Sequence, residues 1–280
     1  LKKILLAGAN GMLGISMQQA LVDHDLIALG SDELDISCTR DITAAIIRYR
    51  PNYFINCAAY TAVDLAETEV EKAYKINATA VRQLAQICEH HRVTLIHFST
   101  DYVFDGNATL PYRPHDAVRP INVYGASKLL GEQYIQDNMS SFYIFRISWL
   151  YAAHGKNFMR WVLENNLEEM HVVDNQLGSP TSADSVALFI NHLVENDPDE
   201  HGVYHYTNQG ELTWYAFAKA ISQKSNVPKN IHPTSSFKTA ASRPSYSVMN
   251  TDAIRRTFNY DIPTIDTALE EVLERYKSRS

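Results

Sequence analysis

A chain of 280 residues, 45% of them hydrophobic, buries one substantial core and has room for a second, smaller lobe without needing two independent domains. Its net charge of −7 argues against nucleic acid as a partner, so an anionic ligand must be held by local donors rather than by a global field. The cysteines, Cys38, Cys57 and Cys88, are odd in number and sit in apolar or helical contexts, which argues against a disulfide framework or a four-ligand zinc site and for a reducing compartment.

The first apolar run, Ile4–Ala7, is too short for a signal segment or a membrane span, and a cytoplasmic location follows as the expectation. The run reads as a strand. Gly8-Ala9-Asn10-Gly11-Met12-Leu13-Gly14 follows it and opens a helix over Met12–Val22. Strand and helix flanks give the glycines mechanical roles: Gly8 for the tight turn, Gly11 for close approach of a pyrophosphate, Gly14 for helix–strand packing. The helix N-terminus then offers its free N–H groups to phosphate. A strand at Leu26–Leu29 leads to three acids, Asp32, Glu33 and Asp35, near the place where an acid contacts the adenosine ribose. Asp35 suits that contact and equally suits a turn cap. No Lys or Arg falls between Lys3 and Arg40, which leans toward NADH over NADPH, with Arg40 near enough to reverse the lean.

The alternation continues with a helix at Ile42–Tyr49, a strand at Tyr53–Ala58, a helix over Val70–Glu89 and a strand at Thr94–Ser99. In Val70–Glu89, Ala73, Ile76, Ala80, Leu84 and Ile87 form one apolar stripe. This rhythm predicts an α/β fold, a Rossmann-type doubly wound parallel sheet with crossover helices. Small residues at Ala58 and Ala59 suit either a cofactor ribose or simple packing. A loop rich in Pro, Gly and Asp spans Asp105–Pro120, followed by a helix at Val123–Gln136 and a strand at Tyr143–Ile147. Beyond Trp149 the texture changes. A helix at Asn157–Asn165, a strand at His171–Val173, a turn at Gly178-Ser179-Pro180 and a helix at Asp184–Val194 predict a smaller α+β lobe. Residues 1–150 are thus expected to bind dinucleotide and 151–280 mainly substrate, some segments returning to the first domain.

Tyr124 and Lys128 stand four apart on one helix and share a face, and Thr100 lies 24 residues earlier, at the carboxyl end of a strand. A free tyrosine titrates near ~10, too high to cycle its proton at neutrality. A neighbouring ammonium and an oxidised nicotinamide favour the phenolate, so Tyr124 is expected to protonate a carbonyl oxygen as hydride arrives, with Thr100 donating to that oxygen. A second Tyr-x-x-x-Lys, Tyr215 and Lys219, is an internal control: Trp214, Phe217, Ala218 and Ile221 make its helix a core stripe, and Asn191, 24 residues before it, has no hydroxyl. No histidine has ligand spacing with two further acids or cysteines. His97 alternates within a strand as a packed polar residue, and His90 and His91 end a helix, where a cation is favourable.

Four stretches together resemble the dTDP-4-dehydrorhamnose reductases, extended short-chain dehydrogenases: Asn56–Asp64, Ser99–Gly106, Pro120–Lys128 and Val173–Thr181, in family order within residues 3 to 275. The resemblance implies reduction of a dTDP-deoxysugar at its 4-keto group, giving dTDP-β-L-rhamnose. It implies catalytic roles for Thr100, Tyr124 and Lys128, cofactor contact at Gly11, Met12, Leu13, Asp35, Ile36, Ala59, Tyr60, Thr61, Tyr124 and Lys128, sugar contact at Asp101 and stacking of the base on Trp149. From the residues alone Trp149 reads as core. Asn157 and Arg243 are further candidates for the substrate's pyrophosphate, the second through its planar fork, although Arg243 equally suits an ordinary surface position. Some members bind magnesium at a dimer interface through glutamates, one shortly after the glycine loop; Ser16 stands there, so no metal is expected and a homodimer is left open. Two alternatives stay in play: a reductase of different C4 stereochemistry, and a non-catalytic subunit resembling the β subunit of methionine adenosyltransferase.

Overall fold

The computed structural model describes residues 1–279. Six strands form one parallel sheet: β1 (Lys3–Ala7), β2 (Asp25–Leu29), β3 (Tyr53–Asn56), β4 (Thr94–Thr100), β5 (Phe142–Ile147) and a last strand at Gly202–His205. Across the sheet they run β2-β1-β3-β4-β5 and then 202–205. β3 is buried along its whole length, with helices over both faces, which is why it reads as a continuous apolar run rather than an alternating one.

Each face of the sheet carries its own core. Ile4, Leu6, Ile55, Ile96 and Phe145 meet α1 (Met12–Ala20) and the helix Ala183–Asn196. On the other face, Leu5, Phe54, Leu95 and Ile144 meet α2 (Thr39–Tyr49) and the helices Ala80–His91 and Val123–Asn138. Residues beyond 150 therefore serve both the sheet and a second core, in which Met159, Val162, Met170, Phe217, Leu269 and Val272 pack together. That second core rests on the helices Phe158–Glu164, Trp214–Ser225 and Ile265–Lys277 and on the parallel pair Met170–Val173 with Ile231–Thr234. Among the described residues no helix is long and apolar enough to cross a membrane.

Two of the elements that differ from the sequence expectation bear on the site. β3 stops at Asn56 rather than at Ala58, because the Asn56 carboxamide oxygen takes the Ala58 N–H at 3.1 Å and turns the chain away from the ladder. The helix expected over Val70–Glu89 is split into Val70–Tyr74 and Ala80–His91 by a π turn at Lys75–Thr79. The wider turn carries Asn77, buried, whose carboxamide holds both backbone groups of Tyr60 and the Ser127 hydroxyl. A Cβ at Gly131 would lie 2.2 Å from the Asn77 carbonyl, so only glycine lets the helix Val123–Asn138 seat against this turn.

A buried ion pair fixes the same helix to the sheet. Arg146 of β5 donates to Glu132 at 2.7 and 2.9 Å and to the Pro114 carbonyl at 3.0 Å. The glutamate side chain is 0% exposed. Arg146→Met should strand that carboxylate and cost about 3–5 kcal/mol, read as a lowered urea midpoint; a loss below about 1 kcal/mol would contradict this account of the pair.

Candidate active site

The sheet's connections reverse direction between β1 and β3: β2 lies on one side of β1 and β3 on the other. In open parallel sheets ligands bind at that reversal, beyond the carboxyl ends of the strands. Here the glycine loop leaves β1. Gly8 has φ +76°, and a Cβ on it would sit 2.6 Å from the Ala58 nitrogen. A Cβ on Gly14 would sit 2.2 Å from the Gly8 carbonyl, so helix and loop touch backbone to backbone. No side chain caps α1 at Gly11, leaving its first-turn N–H groups for an anion.

From this point a cleft of about 640 Å³ runs past Gly11, Met12, Leu13, Ala59 and Thr61 to Thr100, Asp101, Tyr124, Lys128 and Trp149. Its lining fits a nicotinamide dinucleotide: bare backbone and an uncapped helix end for the pyrophosphate, then small residues, then proton-bearing side chains.

The proton-bearing end is assembled from two elements. β4 ends at Thr100, whose Oγ1 accepts the Tyr102 N–H at 3.1 Å and so starts a tight turn over Asp101–Val103. The Thr100 hydroxyl donates to Asp101 Oδ1 at 3.0 Å and also reaches the Tyr124 phenol. The helix bearing Tyr124 is capped by Asn122, which accepts the Gly125 N–H at 2.7 Å. A Cβ on Gly125 would lie 2.1 Å from the Tyr102 carbonyl, and the Tyr102 and Tyr124 rings meet edge to face at 5.9 Å. Lys128, 2% exposed, donates to the Phe98 carbonyl at 2.6 Å and lies 3.3 Å from His97 Nε2.

Burial sets the protonation of this group. It pushes the Tyr124 phenol up to about 12, aided by the Asp101 carboxylate, whereas the Thr100 hydroxyl pulls it down. Burial dominates, and Tyr124 stands as a protonated phenol. Burial likewise brings Lys128 down to about 8, against the pull of Glu132 and Cys57. The Asp101 carboxyl rises to about 7, again through burial, and its Oδ2 has no hydrogen-bond partner.

Several candidates lie outside the cleft. Asp35 is exposed and accepts the Ser37 N–H at 2.8 Å, which is the turn-cap role. Ile36 packs in the core, and the Tyr60 hydroxyl binds Glu69. Asn157 caps the helix Phe158–Glu164 and gives its amide to the Ala152 and His154 carbonyls. Arg243 forms a two-pronged pair with Asp64 at 3.0 and 3.1 Å. Both candidates for the substrate's pyrophosphate are thus engaged elsewhere, and the exposed Lys156 joins Lys128 in lining the cleft, unremarkable in the sequence because nothing but its neighbours in space distinguishes it. Trp149 does line the cleft, but its indole is stacked at 3.6 Å on Trp214, a half-buried residue read as core from its helical spacing. Trp149 has φ +47°, an uncommon conformation for a bulky residue, and Gly178 leaves room for its ring. Tyr215 and Lys219 stay away from the cleft. Ser16 donates to Asp184 at 2.6 Å, and Arg275 pairs with the other Asp184 oxygen at 3.2 Å. Among the described residues no group of three or more His, Cys, Asp and Glu is placed to hold a metal ion.

Known proteins resemble this chain over nearly its whole length. The family model for the RmlD substrate binding domain matches residues 2–278. The dTDP-4-dehydrorhamnose reductase of Salmonella typhimurium is 36% identical over 288 residues, 96% of each chain. A ketoreductase of Streptomyces antibioticus, described as a probable dTDP-4,6-dihydroxy-2-methyloxan-3-one 4-ketoreductase, is 38% identical over 90% of this chain and 88% of its own. The crystal structure of dTDP-4-dehydrorhamnose reductase from Bacillus anthracis in complex with NADP superposes with a TM-score of 0.94 at 35% identity, covering 98% of this chain and 99% of that one. The chain belongs to the RmlD family, that of the dTDP-4-dehydrorhamnose reductases.

Proposed function

We propose that this chain reduces the 4-keto group of dTDP-4-dehydro-β-L-rhamnose to dTDP-β-L-rhamnose, with NADPH or NADH as hydride donor, in the cytoplasmic synthesis of dTDP-rhamnose. The observation that carries this reading is the meeting of Thr100, Tyr124 and Lys128 in one cleft with the uncapped glycine loop. A nicotinamide dinucleotide held by the glycine loop would supply the hydride. Tyr124, a phenol held protonated by burial, gives its proton to the carbonyl oxygen. Thr100 steers that oxygen with its hydroxyl, turning it from Asp101 to the substrate. Asp101, with a buried unpartnered oxygen, accepts a sugar hydroxyl, and Lys156 faces the substrate's phosphates across the cleft mouth. The indole of Trp149 offers the base an aromatic surface. The NADP found with the Bacillus anthracis relative and the exposed Arg40 in the first turn of α2 favour NADPH over the NADH suggested by the cation-free stretch before it.

The Streptomyces antibioticus relative supports a second substrate, another dTDP-linked 4-keto deoxysugar, handled by the same residues. Mixing purified chain with either keto-sugar and NADPH tests both readings through the loss of absorbance of reduced nicotinamide. Consumption matching the sugar supplied is expected. No consumption with either sugar would leave a nucleotide-binding subunit and overturn the enzyme.

Tyr124→Phe should keep cofactor affinity within a few-fold yet lower turnover by roughly 100-fold or more. Tyr215→Phe, changed at the control pair, should turn over like the parent; equal losses in the two variants would remove Tyr124 from the chemistry. Asp101 gives a stability prediction of definite sign. Its folded carboxyl is raised to about 7, above the unfolded value of 3.8, so the stability it confers is fully present below the unfolded pKa and is lost as pH rises through the folded one. Asp101→Asn should therefore raise the melting temperature at about pH 8, with the gain shrinking toward about pH 4, while slowing turnover. The same shift at both pH values would show that Asp101 is not held neutral.

A further inference from the structure

His97 and Asn56 are buried, polar and unused by the chemistry above. Their hydrogen bonds fix where the protons lie. Asn56 Oδ1 must face the Ala58 N–H, because only an acceptor satisfies that donor at 3.1 Å. Asn56 Nδ2 is then the atom 3.2 Å from His97 Nδ1, and it donates. Nδ1 consequently carries a lone pair. A neutral imidazole has one ring proton, so that proton sits on Nε2, 3.3 Å from Lys128 Nζ. The ring stays neutral, since burial and the Lys128 charge hold it well below the usual histidine range.

An N–H aimed at a lysine nitrogen is a partner for a neutral amine and a misfit for an ammonium. We propose that Asn56 and His97 form a positioning relay that aims this N–H at Lys128 and eases loss of its proton, so that the relay sets the pH at which Lys128 loses its charge. This deepens the reductase reading and rests on it. Loss of a proton from Lys128 to solvent frees a lone pair on its nitrogen, which accepts His97 Nε2–H. The other groups facing Lys128 oppose this: Glu132, one turn along the same helix and paired with Arg146, and the buried Cys57 thiol at the end of β3 both favour the ammonium. Burial prevails and brings the lysine down to about 8.

The test reads the ring directly. In cofactor-free protein labelled with 15N at histidine, two-bond proton–nitrogen correlations separate the two tautomers, and His97→Phe identifies the His97 signals. The Nε2–H tautomer is expected from about pH 6 to about pH 9. An Nδ1–H tautomer or an imidazolium there would overturn the relay, whatever the enzyme does. Asn56→Asp supplies the second arm, because an acceptor oxygen facing Nδ1 forces the proton onto it and leaves a lone pair toward Lys128. The tautomer should flip, and the basic limb of turnover should move up by about one pH unit. A flipped tautomer with an unmoved limb would also overturn the proposal. Failure of the reductase reading appears separately, as no consumption of reduced nicotinamide by the parent chain with either keto-sugar.

Discussion

Everything in the active site depends on how Lys128 is seated. Its amine reaches through the interface between the helix Val123–Asn138 and β4 to the Phe98 carbonyl, so the helix cannot slide along the strand without stranding a buried donor. Once that distance is fixed, Tyr124, one turn earlier on the helix, must arrive beside Thr100, two residues further along the strand. The supporting contacts serve the same seat. Gly125 and Gly131 let the helix approach backbone to backbone, Asn77 holds Ser127 from the π turn, and the Glu132–Arg146 pair locks the far side. Each is a local exception to ordinary helix packing, and together they leave the helix one position.

The cofactor end follows a different logic, one of absence. Gly8, Gly11 and Gly14 lack side chains where the loop crosses the end of β3, and α1 begins with no side-chain cap. A net charge of −7 would repel a dinucleotide and a nucleotide-sugar from afar, which leaves attraction at close range to bare N–H groups and to the cleft lysines Lys128 and Lys156.

The sheet, the glycine loop and the meeting of Thr100, Tyr124 and Lys128 were legible because each rests on spacing along the chain: strand–glycine–helix, and a tyrosine and lysine one turn apart. The second Tyr-x-x-x-Lys, at Tyr215, shows the limit of spacing alone, since only position relative to β4 separates the two pairs. The partners of Asn157 and Arg243 were hidden for a related reason. A capping asparagine and an arginine paired with Asp64, 179 residues away, look in sequence like free polar groups. The helix Ile265–Lys277 went unread although Ile265, Ala268, Leu269, Val272 and Leu273 recur at helical spacing, whereas the strand Ile231–Thr234 is too short to show a period. His97 was read as a packed polar residue, which it is; its bearing on Lys128 appears only when β4 and the helix are brought together.

A crystal structure of the chain with NADP and dTDP-rhamnose would examine that seat with its ligands in place. The account predicts the sugar's C4 oxygen within about 2.6–3.2 Å of both Tyr124 Oη and Thr100 Oγ1, with the pyrophosphate of the cofactor on the first turn of α1. A sugar whose C4 oxygen meets neither hydroxyl, in a complex otherwise fully formed, would contradict it.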